Sequence, residues 1–283
     1  MPSQALANRK IEDFEGFDGT KIYFESYAAQ QARAAVILLH GYAEHCGRYR
    51  HVIAPLWRAG CNVYTYDHRG HGKSGGARAY VRRFDDLLED LDLVMARVRE
   101  REGERPIFLI GHSMGAAVAA LYVITRRPRL QGVVLSGLAV IPLSSVPAIV
   151  QKIGRLVAKV MPKFPAVKLD FAHLVSRDSK VVAAYLSDPL VYKGKLLART
   201  GDEILLAGQR VLAEVDSIML PLQILHGSDD QVAAIEGSRK VFEDCCSSDK
   251  DLREYKGHYH EVFNDIGNEQ VIQDVVEWVS ARA

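Results

Sequence analysis

The feature that most restricts the fold is Gly111-His112-Ser113-Met114-Gly115, set between the apolar run Ile107 to Ile110 and the alanine-rich stretch Ala116 to Tyr122. The apolar run is short and uncharged, as a strand buried on both faces is. The alanine-rich stretch has the composition of a helix. G-x-S-x-G between a strand and a helix describes a sharp turn that lifts a serine Oγ clear of a parallel sheet, with glycines on either side because side chains there collide. The helix N-terminus then faces any negative charge that develops beside the serine. Without those flanks the pentapeptide reads as a glycine-rich turn with a serine cap; with them it reads as a nucleophile.

The rest of the chain supplies the sheet that this turn needs. Short β-rich runs at Ala34 to Leu39, Cys61 to Tyr66, Pro106 to Ile110, Gly132 to Ser136, Leu222 to His226 and Leu252 to Tyr255 alternate with helical patterns. Those patterns cover Arg48 to Arg58, Phe84 to Arg101, Met114 to Arg126, Glu236 to Asp244 and Glu269 to Ala281. The alternation predicts an α/β class with a mostly parallel central sheet and flanking helices. Lys10 to Phe17 and Thr20 to Tyr27 flank Asp18-Gly19, which predicts an antiparallel edge hairpin with a two-residue turn. One connection is too long: about 80 residues separate Ser136 from Leu222. That segment is helical in period and broken by Pro142, Pro147, Pro162, Pro165 and Pro189, as expected of a small helical cap inserted at the sheet's C-terminal edge. The expected division is a core over 1–140, a cap over 141–217 and a second part of the core over 218–283.

Composition excludes several classes. With 36 Lys and Arg against 35 Asp and Glu, the net charge of +1 makes no electrostatic case for a nucleic-acid partner. Cys46, Cys61, Cys245 and Cys246 have no metal-ligand spacing and read as reduced thiols. The N-terminal MPSQALANRKIEDFEG has no apolar signal region, and no later run approaches ~18 apolar residues, so the expected location is cytoplasmic.

A serine nucleophile requires a histidine base and a carboxylate, in the chain order Ser, Asp, His. After the run Leu222 to Leu225, His226-Gly227-Ser228-Asp229-Asp230 offers the carboxylate, with Asp230 preferred to Asp229. After the last β-rich run, Tyr255-Lys256-Gly257-His258-Tyr259-His260-Glu261 offers the base, with His260 preferred to His258. Spacing alone settles neither pair. An oxyanion hole needs an N–H just after the nucleophile and another from the loop after an early strand, which gives Met114 and Tyr42 of His40-Gly41-Tyr42-Ala43-Glu44-His45. The histidines of Asp67-His68-Arg69-Gly70-His71-Gly72 read as part of a structural loop, and neither a metal nor a cofactor is expected.

Taken together, HGYAEHCGRY (40–49), YDHRGHGKSGG (66–76), GHSMG (111–115), AYLSDPLVY (184–192), HGSDDQV (226–232) and YKGHYHEVFND (255–265) resemble the monoacylglycerol lipase and lysophospholipase-like group of the α/β-hydrolase superfamily, its bacterial monoacylglycerol lipases above all. The resemblance runs over nearly the whole chain. It implies an α/β-hydrolase fold, a triad of Ser113, Asp230 and His260, oxyanion amides at Tyr42 and Met114, and contact of the substrate's alcohol end with Glu44, Arg48 and Tyr185. For those last three the alternatives are a loop-ordering ion pair of Glu44 with Arg48 and cap packing by Tyr185. One departure is notable: where the family loop reads H-G-x-G-E-H, this chain has Ala43, which is strained if the position needs positive φ. The implied activity is cleavage of a small lipid ester, monoacylglycerol first, with a lysophospholipase or general carboxylesterase as the alternative. A peptidase needs buried carboxylates for a free amine, and the insert offers only Asp170, Asp178 and Asp188 early and Asp202, Glu203 and Glu214 late. A silent ligand-binding module is the reading from another class.

The insert is locally basic. No acidic residue occurs from Arg105 to Leu169, while Lys152, Arg155, Lys159 and Lys163 lie at helical spacing beside a stripe of Ile149, Ile153, Leu156 and Val160. Such a helix either rests on anionic lipid headgroups, placing the protein peripherally at a membrane, or packs its apolar stripe on the core with its basic face in water.

Overall fold

The computed structural model describes residues 8–141, 148–168 and 171–283; Pro142, Leu143, Pro147, Leu169 and Asp170 of the sequence reading lie outside the described residues. Eight strands form one sheet: β1 Arg9–Glu15, β2 Lys21–Tyr27, β3 Ala34–Leu39, β4 Cys61–Tyr66, β5 Ile107–His112, β6 Gly132–Ser136, β9 Leu222–Gly227 and β10 Lys250–Tyr255, in the order β1-β2-β4-β3-β5-β6-β9-β10. β1 and β2 pair antiparallel, as do β2 and β4, and every other pairing is parallel. Every residue of β3, β5, β6 and β9 is buried, so side chains of either parity need apolar cover.

Two helical layers provide that cover. On one face, Ile37, Leu39 and Leu109 pack against α2 (Asp85–Glu102) and α3 (Met114–Arg126). On the other, Val36, Leu38, Phe108 and Ile110 pack against α1 (Arg50–Arg58) and α8 (Asn268–Ser280). α7 (Ile235–Asp244) lies between β9 and β10 in sequence. Alternate residues of one strand thus enter opposite cores, which is the physical content of the apolar runs read from the sequence.

The edge hairpin forms, but its turn differs from the expectation. Glu15 pairs with Lys21, leaving Gly16 to Thr20 as the loop, closed by Gly16 N–H to Thr20 C=O at 2.7 Å. Only Gly19 takes a positive φ, at +82°, whereas the two-residue turn needs one at Asp18 as well. The Asp18 carboxylate instead accepts from Arg69 Nη1 at 2.9 Å and the Thr20 N–H at 3.2 Å.

Between β6 and β9 come α4 (Ala148–Val160), β7 (Pro165–Lys168), α5 (Ser179–Ser187), β8 (Lys195–Leu197) and α6 (Ala198–Glu214). β7 and β8 form an antiparallel pair that helical periodicity did not suggest, β7 being four residues long and opened by a proline and β8 only three residues long. α6 anchors the insert by burying Ala207 and Val211 in the same core as α3. The apolar stripe of α4 does not pack on the core: Ile149, Ile153, Leu156 and Val160 are 64%, 57%, 62% and 70% exposed. Only Ala158 of that helix is buried among its described side chains.

The loop after β4 holds its shape through buried polar groups. Asp67 accepts from the Cys46 and Lys73 N–H groups at 2.8 and 2.7 Å, and Arg69 grips Asp90 through Nε and Nη2, both at 2.7 Å. The rings of His68 and His71 stand 4.5 and 5.6 Å from that of His40. This agrees with the reading of the segment as structural. Burial, joined by the neighbouring His71, pushes His68 down to about 3, and burial pushes His71 down to about 4; the buried His40 also stays neutral. Unfolded, each takes a proton near pH ~6.5. Stability from these groups is therefore fully present above that pH and is lost as pH falls toward the folded values. The urea midpoint is expected to be lower at pH 5 than at pH 7, a window in which ordinary carboxylates hardly titrate; equal midpoints would count against this account.

Candidate active site

The site is built on the turn between β5 and α3. Ser113 sits at φ 53°, ψ −115°, a strained conformation held by its N–H on Ser136 C=O at 2.8 Å. A Cβ at Gly111 would lie 2.3 Å from Gly115 O, and one at Gly115 would lie 2.4 Å from His40 O. Both glycines are thus required by close approach of α3 to the sheet.

The structure brings the three residues of the expected triad together. His260 Nε2 lies 2.8 Å from Ser113 Oγ, and His260 Nδ1 lies 2.7 Å from Asp230 Oδ2. The other oxygen of Asp230 accepts from the Val232 and Ala233 N–H groups at 2.7 and 3.0 Å. Burial works against the Asp230 charge, yet the neighbouring His260 and His226, through their charge and their hydrogen bonds to it, hold it ionised, well below the usual carboxylate range. Burial also opposes a charge on His260, but Asp230, then Glu261 and Glu44, raise it above the ordinary histidine value. Asp229, by contrast, is exposed, with Ser228 Oγ donating to it at 2.7 Å. His258 packs on Tyr255, away from Ser113. Next to Ser113, burial and the His260 charge push His112 down to about 3, so it stays neutral.

The loop after β3 crosses the serine: a Cβ on Gly41 would lie 3.2 Å from that of Ser113. No hydrogen bond within the protein, among the described residues, uses the backbone N–H of Tyr42 or Met114. Ala43 takes φ +67°, the left-handed conformation that favours glycine, and its C=O accepts from Tyr192 N–H of the insert at 2.7 Å.

Glu44, Arg48 and Tyr185 lie together, and a fourth residue, Glu261, joins them. Glu44 Oε1 accepts from Gly41 N–H at 2.7 Å and Tyr49 Oη at 2.6 Å, while Oε2 takes Arg48 Nη1 at 2.7 Å. Arg48 also grips Glu261 with two bonds of 2.6 Å, and its guanidinium lies 4.9 Å from the centre of the Tyr185 ring. Glu44 thereby ties the loop that carries Tyr42, through Arg48, to the loop that carries His260. The sequence reading missed Glu261; the only signal was its place beside the chosen histidine. Oxygens of Glu44 and Glu261 and a nitrogen of His112 lie within 4.8 Å of one another, but the guanidinium of Arg48 already occupies both carboxylates, a poor donor set for a cation.

A cavity of about 40 Å³ opens at Ser113, lined on the core side by Glu44, His112, His260 and Glu261 and on the insert side by Phe171, Val175 and Tyr185. Among the described residues no helix is long and apolar enough to cross a membrane. With Glu261 replaced by Gln, one of the anions that raise His260 is lost, so the acid limb of Ser113 phosphonylation by a fluorophosphonate is expected to move to lower pH. A limb unmoved, or moved up, would contradict the electrostatic assignment.

The chain matches the sequence profile of the family described as serine aminopeptidase, S33, over residues 30–267. It is 35% identical over 274 residues to a monoacylglycerol lipase of Mycolicibacterium smegmatis, covering 96% of this chain and 98% of that one. It is 30% identical over 253 residues to the human monoglyceride lipase, covering 88% and 83%. Among solved structures, the monoacylglycerol lipase of Paleococcus ferrophilus superposes with a TM-score of 0.84 at 31% identity, covering 93% of this chain and 99% of that chain.

Proposed function

Because the chain belongs to the serine aminopeptidase S33 family of α/β-fold hydrolases, we propose that it is a serine esterase whose substrate is a monoacylglycerol, cleaved to glycerol and a free fatty acid. The observation that carries this reading is the unbroken chain Asp230, His260, Ser113 beside two free amides. His260, oriented by Asp230, takes the Ser113 proton as Oγ attacks the ester carbonyl. Negative charge on the carbonyl oxygen rests on the N–H groups of Tyr42 and Met114. His260 returns the proton to the departing alcohol, and water repeats the sequence on the acyl-enzyme. No step requires a metal or cofactor.

The cavity wall supports glycerol as the alcohol. Glu44 and Glu261 share one guanidinium, so the wall carries net negative charge. Glycerol hydroxyls can donate to such a wall, and the hydroxyl of Tyr185, which also lines the cavity, can complete the contact. The phosphate of a lysophospholipid would be repelled there. Phe171 and Val175 form the apolar side that an acyl chain needs. At about 40 Å³ the cavity is far smaller than the space a lipid ester fills, so residues 141–217 act as a cap that must swing aside for substrate. The exposed stripe of α4, flanked by Lys152, Lys159 and Lys163, is the face on which the cap meets anionic lipid, making the protein a peripheral one that otherwise stays in the cytoplasm.

Two experiments test this. Initial rates are expected to favour monoacylglycerols over a lysophosphatidylcholine of matched chain, with Ser113→Ala lower by roughly 10⁶; preference for the lysophospholipid would remove glycerol from the reading, and substantial Ser113→Ala activity would remove the nucleophile. Flotation with anionic vesicles is expected to carry the protein at low salt and less of it at high salt. Absence of binding at low salt would rule out the lipid-facing role of α4.

A further inference from the structure

A second buried histidine touches the carboxylate that orients His260. His226, at the end of β9, has no solvent exposure. Its Nε2 lies 3.1 Å from Asp230 Oδ2 and 3.1 Å from Ala233 O, and its Nδ1 lies 2.7 Å from the hydroxyl of Ser238, itself fully buried on α7. The chemistry of these neighbours fixes the proton. A backbone carbonyl and an ionised carboxylate can only accept, so Nε2 carries the hydrogen and Nδ1 accepts from Ser238. Asp230 Oδ2 therefore lies between two imidazole N–H groups, one on each side, while Oδ1 is held by two backbone amides. The chain Ser238, His226, Asp230, His260, Ser113 runs unbroken from the core to the cavity.

We propose that His226 is a positioning residue for the reaction, its Nε2–H, locked by Ser238, holding the Asp230 carboxylate in the orientation that His260 requires. The proposal rests on the reading of Asp230 as the triad acid. The terminal torsion of an aspartate is broad, so a carboxylate with a partner on one side alone can turn. With donors on both sides of Oδ2 and two amides on Oδ1, Asp230 cannot turn without breaking a buried bond. His226 also shares the negative charge of Oδ2 with His260. Without it more of that charge falls to His260, whose proton is then held more tightly. The other groups facing His260 are Glu261, next to it on the same loop, Glu44 from the loop after β3 and the neutral His112 at the end of β5.

The test is steady-state hydrolysis of a soluble p-nitrophenyl ester across pH by the full-length wild type and the variants His226→Leu, His226→Gln, Ser238→Ala and Asp230→Asn. For His226→Leu, kcat is expected to fall about tenfold, the scale of one hydrogen bond to a charged group, with KM within about twofold of wild type. The acid limb of kcat/KM should move up. In His226→Gln an amide N–H replaces Nε2–H, and both readouts should return most of the way. A role in packing alone would lower thermal stability in both variants while leaving kcat and the acid limb where they were, and that result would overturn the proposal, as would a His226→Gln no better than His226→Leu. Should the leucine variant fail to fold, Ser238→Ala decides, since it leaves His226 and Asp230 in place. It should lower kcat about two- to threefold at unchanged KM, and an unaltered kcat and pH profile overturns the assignment. Asp230→Asn separates the premise from the inference: if it retains wild-type kcat, the triad reading falls, whereas a large loss there with no effect at His226 removes the positioning role alone.

Discussion

The close approach of α3 to the sheet is the constraint from which the site follows. Gly115 lies against the carbonyls of Leu39 and His40, and Gly111 against the carbonyl of Gly115, leaving no space for a side chain at either position. This contact makes the chain between them turn within a residue, and Ser113 takes the strained backbone that results. The same contact brings the loop after β3 over the serine, where the amides of Tyr42 and Met114 stay free. A looser helix would leave Ser113 in ordinary geometry and its neighbours apart. The strain is sustained because Met114 to Ile124 are buried without exception, and that burial far exceeds the cost of one unfavourable residue.

Around this turn, charges are buried only where they are shared. Arg48 neutralises part of Glu44 and Glu261, and those carboxylates also take hydrogen bonds from Gly41, Tyr49 and Asn264. Asp230 is surrounded by donors. His40, His68, His71 and His112, each fully buried, remain neutral. A polar network of this kind is stable only when complete, so it fixes the loops that carry Tyr42 and His260 relative to each other. The left-handed Ala43 is tolerated inside the same network: the bond from Gly41 to Glu44 spans it, and Tyr192 of the insert caps its carbonyl.

Among the described residues the insert joins the core along much of its length, through Val175 and Arg177 to the loop of His260, Tyr192 to Ala43, and Thr200 and Glu203 to the segment before α2. His45 meets Asp188 at 2.9 Å, Arg78 donates to the Leu190 carbonyl, and α6 lies on α3. Between these attachments, Phe171, Val175 and Tyr185 cover the serine, and α4 turns its apolar stripe to the outside. One segment therefore both closes the cavity and presents the most exposed apolar helix face described.

Much of this was legible in the residues. Strands β3, β4 and β6 match the expected runs end to end because a strand covered on both faces is largely apolar and β-branched or aromatic, a pattern that needs no knowledge of its neighbours. The nucleophile was legible for a similar reason: the turn is local, and its glycines and flanking elements are adjacent in sequence. The choices of Asp230 over Asp229 and His260 over His258 were not open to spacing; the resemblance supplied them, and the fold gives the physical ground by setting His260 against Ser113 and Asp230 against His260. The bonds of Arg48 to Glu261 and of His226 to Asp230 and Ser238 depend on loops and a strand that converge only when the sheet is assembled. The exposure of Ile149, Ile153, Leu156 and Val160 is of the same kind. Amphipathic periodicity determined that α4 has an apolar side; which way that side faces was decided by what the rest of the chain left free to pack against it, and that is a property of the tertiary structure alone.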